Sequence, residues 1–191
     1  LKNGFGLTTK DARDKNNEAL KNAVSFRRLD VLRVLKDDFG LTAKDARVND
    51  NEALKDASFH GAAKILRFLK NEFKLTADDA RACNNHALII ASGNGRVEVL
   101  RVLKNEFGLT ADDARANDNY ALRMAAINRH MKVLDVLKDD FGLTVDDARA
   151  GNNIVLRESA TYGFVAVLRV LKNQFELTTD DARSNDNEAL R

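Results

Sequence analysis

The chain has no proline and no tryptophan, and it holds one cysteine, Cys83, which excludes an intrachain disulfide. A lone thiol suits a reducing, intracellular compartment. No apolar run approaches the ~20 residues that span a bilayer, so a membrane-spanning helix is not expected. Neither sign of charge prevails: 31 Lys and Arg face 29 Asp and Glu, for a formal net charge of +2. Acids stand beside bases along the whole chain, whereas a nucleic-acid binder concentrates its bases on one face, so no nucleic-acid partner is expected. Histidine is scarce, and His60, His86 and His130 show no metal-ligand spacing with each other or with Cys83. Cys83 and His86 flank Asn84-Asn85, with no orienting third group or oxyanion hole for a nucleophile. There is no Gly-rich phosphate loop. The reading is therefore a non-enzyme, with no catalytic, cofactor-binding or metal residue assigned.

What the chain does have is a period. Phenylalanine recurs at Phe5, Phe39, Phe73, Phe107, Phe141 and Phe175, 34 residues apart each time. Leu-Thr follows each one, from Leu7-Thr8 to Leu177-Thr178, and Asp-Ala-Arg follows that, from 11–13 to 181–183. An asparagine column (Asn17, Asn51, Asn85, Asn119, Asn153, Asn187) and a leucine column from Leu20 to Leu190 keep the same register. Self-similarity of this kind is the signature of a stacked array. Residues 1–191 read as one domain with full copies at 5–38, 39–72, 73–106, 107–140 and 141–174, and partial copies at 1–4 and 175–191. The chain begins at Leu1 inside a copy, so no signal peptide is expected there.

The copy 107–140 shows what one unit encodes. Gly108 fits a left-handed residue that closes the preceding helix, with Leu109 folding back on it. Thr110 and Asp113 have the spacing of a capping box, which predicts a short helical turn over about 111–116. Asn117-Asp118-Asn119 reads as a polar turn. Helix A then runs from about Tyr120 to Ile127 with Ala121, Leu122, Ala125 and Ala126 inward. Helix B covers about 131–139, where Val133, Leu134, Val136 and Leu137 make one apolar stripe of helical period. No segment alternates with the period of a strand. A single unit cannot bury such a stripe, whereas stacked copies bury it against each other.

These residues resemble the ankyrin repeat. The segment Tyr120-Ala121-Leu122-Arg123-Met124-Ala125-Ala126, then Asn128-Arg129-His130, then Val133-Leu134 and Val136-Leu137, is similar to that family's Thr-Pro-Leu-His-x-Ala-Ala, Gly-His and paired aliphatics. Gly61, Gly95 and Gly163 fill the glycine slot, Arg27 and Arg129 replace it, and His130 fills the histidine slot. Asp113 to Leu122 looks especially like the divergent ankyrin repeats of giant viruses and some protists. The resemblance covers essentially the whole chain. It implies an all-α, right-handed α-solenoid of stacked helix pairs. The β-hairpin loop is replaced here by the Phe-Gly-Leu-Thr segment, where a short helical turn is expected. Tetratricopeptide repeats also run to about 34 residues, but their Trp, Gly-Tyr and Pro positions are missing.

The invariant columns read as scaffold: each Arg can pair with an acid of the next copy, and each Asn with neighbouring loop backbone. The varying columns are free of stacking. The pair ending helix A runs Ser25-Phe26, Phe59-His60, Gly93-Asn94, Ile127-Asn128 and Thr161-Tyr162. In ankyrin-like arrays this row lies on the concave, partner-binding side. In the columns Glu18/Glu52/His86/Tyr120/Ile154/Glu188 and Asn22/Asp56/Ile90/Met124/Glu158 the apolar entries cluster in copies three to five and the acids lie at the ends. Phe26, Phe59, His60, Tyr120, Met124, Ile127 and Tyr162 are the expected protein-partner residues. The alternative is drift on a solvated face. At the level of function, a protein-binding scaffold competes with an architectural subunit fixed in a large assembly. The ends are expected to continue into further copies or to meet another chain.

Overall fold

A computed structural model of the chain describes residues 8–187. Residues 1–4, Phe5, Leu7 and the final Glu188 to Arg191, including Leu190, lie outside the described residues. The described residues are helical with no strand, and they form thirteen helices. In chain order these are α1 (Thr9–Ala12), α2 (Asp14–Ser25), α3 (Leu29–Asp37), α4 (Ala43–Ala46), α5 (Val48–Phe59), α6 (Ala63–Glu72), α7 (Ala77–Gly93), α8 (Val97–Asn105), α9 (Ala111–Ile127), α10 (Met131–Asp139), α11 (Val145–Thr161), α12 (Val165–Asn173) and α13 (Thr179–Asn187). No described helix is long and apolar enough to cross a membrane.

The capping-box threonines start these elements. At Thr42, Thr76, Thr110 and Thr144 the backbone N–H donates to the aspartate three residues on, at 2.8 Å in each case. The helical turn expected at this point is present, and no β-hairpin forms among the described residues. α7, α9 and α11 are nevertheless not single rods. In α9, Ala116 is extended (φ −52, ψ 144), and Asn117, Asp118 and Asn119 follow in the left-handed helical region with φ of 55, 54 and 58. The same three-residue left-handed turn occurs at 15–17, 49–51, 83–85 and 151–153. Left-handed backbone costs roughly 1–2 kcal/mol per residue for most side chains, and Gly, Asn and Asp bear it best. Ten of these fifteen positions are Asn, two are Asp and one is Gly, with Lys15 and Cys83 the exceptions. The turn reverses the local winding and hands the chain from the short N-terminal turn to helix A proper.

Helix A ends at a second left-handed residue, Arg27, Gly61, Gly95, Arg129 or Gly163. Helix B ends at a third, Gly40, Lys74, Gly108, Gly142 or Glu176. At Gly95 the helix A closure is a Schellman turn, with its N–H reaching Ser92 O at 3.3 Å and Arg96 N–H reaching Ala91 O at 2.8 Å. At Gly108 the helix B closure is one residue wider on each bond, from Gly108 N–H to Lys104 O and from Leu109 N–H to Leu103 O, both at 3.1 Å.

Packing is consecutive. The helix A elements α2, α5, α7, α9 and α11 pack each on the next, α11 packs on α13 of the partial last copy, and the helix B elements α3, α6, α8, α10 and α12 pack each on the next. Leu20, Leu54, Leu88 and Leu122 are fully buried between the layers, as are the helix B pairs Leu100/Leu103 and Leu134/Leu137. Alanines at 53, 57, 87, 91, 121 and 125 are buried too, which lets neighbouring A helices approach closely. Phe73, Phe107, Phe141 and Phe175 seal the helix B ends, and Lys70 and Lys104 lie over the Phe107 and Phe141 rings at 5.5 and 5.2 Å.

Candidate interaction surfaces

The Asp-Ala-Arg column forms a ladder. Each arginine grips the aspartate 32 residues on with two nitrogens, as in Arg47, whose Nε donates to Asp79 Oδ1 at 2.7 Å and Nη2 to Oδ2 at 2.8 Å. Arg13–Asp45, Arg81–Asp113, Arg115–Asp147 and Arg149–Asp181 repeat the fork. All five aspartates are buried. At Asp45, Asp113 and Asp147 burial pushes the carboxyl up, yet the arginine and threonine donors outweigh it and leave the group below its ordinary value. At Asp79 the arginine is the largest influence and the shift is again downward. Arg149 and the Thr178 donors take Asp181 down to about 2. These five carboxylates are occupied from within the stack and are not free for a ligand, whereas Asp11, the first acid of the column, is exposed and accepts from Thr8.

The seven expected partner residues divide between two places. Tyr120, Met124 and Ile127 sit at i, i+4 and i+7 of α9, on one helical face. Tyr120 is exposed, while Met124 and Ile127 are half-buried. Gly93 on α7 makes room for Met124: a β-carbon there would stand 3.4 Å from Met124 Cβ. Ile90 and Ile154 occupy equivalent positions on the neighbouring A helices and are half-buried. Polar links flank this strip on both sides. Lys21 pairs with Glu52 at 2.8 Å and Ser25 Oγ donates to Asp56 at 2.6 Å. Beyond the strip Arg123 grips Glu158. The strip is thus an apolar centre between charged borders.

Phe26, His60 and Tyr162 stand elsewhere, at the residue that ends helix A, in the turn to helix B. Phe59 is the last residue of α5. Phe26 and Tyr162 are 71% and 64% exposed, far more than any residue of the Tyr120 strip. His60 is edge-on to Phe59 at 4.9 Å. Tyr162 stacks on Phe164 at 5.6 Å, and Arg129 lies over the Phe164 ring at 5.3 Å. The turns are also cross-linked. Arg96 Nε donates to Phe59 O at 2.9 Å, His130 Nε2 meets Gly93 O at 3.1 Å, and Arg27 donates to His60 O. These contacts meet carbonyls at helix A C-termini, the negative end of the helix dipole.

The helical register therefore brings Tyr120, Met124 and Ile127 together and leaves Phe26, His60 and Tyr162 on the turn edge; Phe59, at the position of Ile127 two copies earlier, lies where the helix A face meets that edge. Ile154, Phe164 and Arg96 were not singled out by the sequence reading. Their signal is present all the same, because all three stand in columns that vary from copy to copy: Arg28, Ala62, Arg96, His130 and Phe164 in one, Glu18, Glu52, His86, Tyr120 and Ile154 in the other. The histidines stay apart: His86 is exposed at the start of helix A, while His60 and His130 occupy different turns. Among the described residues no group of three or more His, Cys, Asp or Glu could hold a metal ion. Cys83 is exposed, in the first left-handed position of its turn. No protein-family model matches the chain, and no curated protein is similar enough to be matched to it.

Proposed function

We propose that this chain is a divergent ankyrin-like repeat array, a right-handed α-solenoid over residues 1–191, that works as a non-catalytic scaffold and binds a protein partner on its helix A face. Three observations support the reading. The sequence period is free of insertions over six copies. Consecutive A helices and consecutive B helices pack in order. The slot that holds glycine in ankyrin repeats carries left-handed backbone in all five copies, even where arginine fills it.

The observation that carries the functional half is the contrast between columns. Asp and Arg in the ladder never change and are consumed by stacking. The A-helix positions facing away from the core vary among the copies and become apolar around Tyr120, Met124 and Ile127. Interfaces draw most of their energy from a few central apolar or aromatic anchors inside a polar rim, and this strip has that composition.

The test is to purify the tagged chain from its native cells and identify co-purifying proteins by mass spectrometry. The recovered partner's affinity is then measured for Tyr120→Ala, Met124→Ala and Ile127→Ala. At least one substitution costs more than ~1 kcal/mol of binding. Unchanged affinity in all three removes the helix A face from the account. Fixed-stoichiometry co-purification that survives all three points to an architectural subunit.

A further inference from the structure

The turns from helix A to helix B line up along one edge, and the turn segments themselves carry no acidic residue. None of the segments 23–29, 57–63, 91–97, 125–131 and 159–165 contains Asp or Glu, although the chain carries 29 of them. The same segments hold Arg27, Arg28, Arg96 and Arg129, and none of these arginines makes an ion pair among the described residues. Arg27 and Arg96 bond backbone carbonyls, Arg129 lies over a ring and Arg28 is exposed, so none of the four is paired with a carboxylate. Of the bordering acids, Asp56 is engaged by Ser25, Glu98 by Arg67 and Glu158 by Arg123, while Asp30 is exposed beside Arg28. Phe26, Phe59 and Tyr162 are the exposed aromatics on this same edge. Position 62 is alanine, where the other copies carry Arg28, Arg96, His130 and Phe164. Its small side chain leaves an open groove of about 420 Å³ beside Arg27, Gly61, Lys64 and Ile65, whose one acid, Glu98, is paired with Arg67.

We propose that this turn edge is a second binding surface, and that its ligand is an extended acidic peptide segment of a partner protein carrying large apolar side chains. Carboxylates lie on the arginines, whose planar forks suit them. The apolar side chains lie against Phe26, Phe59 and Tyr162, one of them entering the groove at Ala62. Neighbouring helices stand roughly 8–10 Å apart, so four steps between five turns span about 30–40 Å. An extended chain at roughly 3.3 Å per residue covers that with about ten to twelve residues. The charge density favours a peptide over a single-stranded nucleic acid. A nucleic-acid strand carries one charge per ~3.4 Å as stacked in a duplex, whereas this edge offers four arginines, no lysine in the same segments, and a whole-chain net charge of only +2. The inference does not rest on the Tyr120 strip and survives its failure.

The experiment is fluorescence polarisation with a labelled peptide of about twelve residues that alternates Glu or Asp with Leu and Phe. The comparison probes are the same peptide with Gln and Asn in place of the acids, and a labelled oligouridylate. The acidic peptide binds the intact chain in a salt-dependent way, at least about tenfold tighter than its neutral counterpart. Arg28→Glu and Arg129→Glu, combined or singly, weaken it by about tenfold, while Tyr120→Ala leaves it unchanged. Circular dichroism confirms that each variant is folded; Arg28, which is exposed, serves alone if the double variant does not fold. Equal binding of acidic and neutral peptides, tighter binding of the oligouridylate, or indifference to Arg28→Glu overturns the proposal.

Discussion

Arg81 holds Asp113 of the next unit in a two-pronged fork, Nε to Oδ1 at 2.8 Å and Nη2 to Oδ2 at 3.1 Å. Asp113 meanwhile accepts the Thr110 N–H at 2.8 Å, so one carboxylate ties a helix start to the neighbouring unit. Removing the arginine leaves a buried carboxylate without its counter-charge, which costs more than the lost contact alone. Arg81→Ala is expected to destabilise the fold by about 1–3 kcal/mol. The upper values known for fully buried pairs do not apply, because the Arg81 side chain is 37% exposed. Urea denaturation checks this, and a double-mutant cycle with Asp113→Ala isolates the coupling. A coupling near zero would mean that the ladder is ornamental.

The ladder also makes stability depend on acid. Each of its five aspartates has its folded-state carboxyl below the ordinary value, the last at about 2. A group depressed on folding contributes stability above its unfolded value, near pH 4, and loses it as pH falls through the folded value. The melting temperature is therefore expected to hold between about pH 8 and pH 5 and to drop steeply from about pH 4 to pH 2. Thermal melts across that range are the check, and Asp113→Asn should flatten part of the drop.

Much of this was legible in the sequence for physical reasons. Gly108 and its equivalents announced a left-handed closure, because only there does the missing β-carbon help. Thr110 and Asp113 announced a cap through their spacing, and the Arg and Asp columns announced contact between copies. The handedness of the turn at Asn117-Asp118-Asn119 was not legible. Asn and Asp signal a turn through local hydrogen bonding whatever its sense, and only backbone geometry shows three successive left-handed residues. Nor was the split of the partner residues: Phe26 and Tyr162 sit one residue beyond the equivalents of Ile127, and one residue moves a side chain from the helix A face to the turn. The bond from Arg96 to Phe59 O joins residues 37 apart and depends on how the copies dock, which no local pattern encodes.

The left-handed turn makes a prediction of its own. Cys83 is one of the two positions where that conformation is held by neither Gly, Asn nor Asp. Cys83→Gly relieves roughly 1–2 kcal/mol of strain against a smaller entropic loss, for a net gain of about 0.5–1 kcal/mol. Cys83→Val, with a branched β-carbon, destabilises. Chemical denaturation midpoints measure both, and a more stable valine variant would contradict the turn geometry.

The helix B stripe can be probed at Leu134, which is fully buried. Leu134→Ala removes a packed side chain from the centre of the stack and is expected to cost about 2–5 kcal/mol. A loss under about 1 kcal/mol, measured by denaturant titration, would mean that this stripe is not stacked as described.

The central claim is that constant columns build the scaffold while varying columns bind. Its most direct test exchanges Tyr120, Met124 and Ile127 for the residues at the same positions of the first copy, Glu18, Asn22 and Ser25. The scaffold already carries those side chains at those positions, so Tyr120→Glu/Met124→Asn/Ile127→Ser should fold normally. The measurement is the affinity of the triple variant for the co-purified partner, with thermal melting as the folding control. The account predicts a cooperative melt and a loss of affinity of about tenfold or more. A folded triple variant that binds the partner as tightly as the original chain would contradict it.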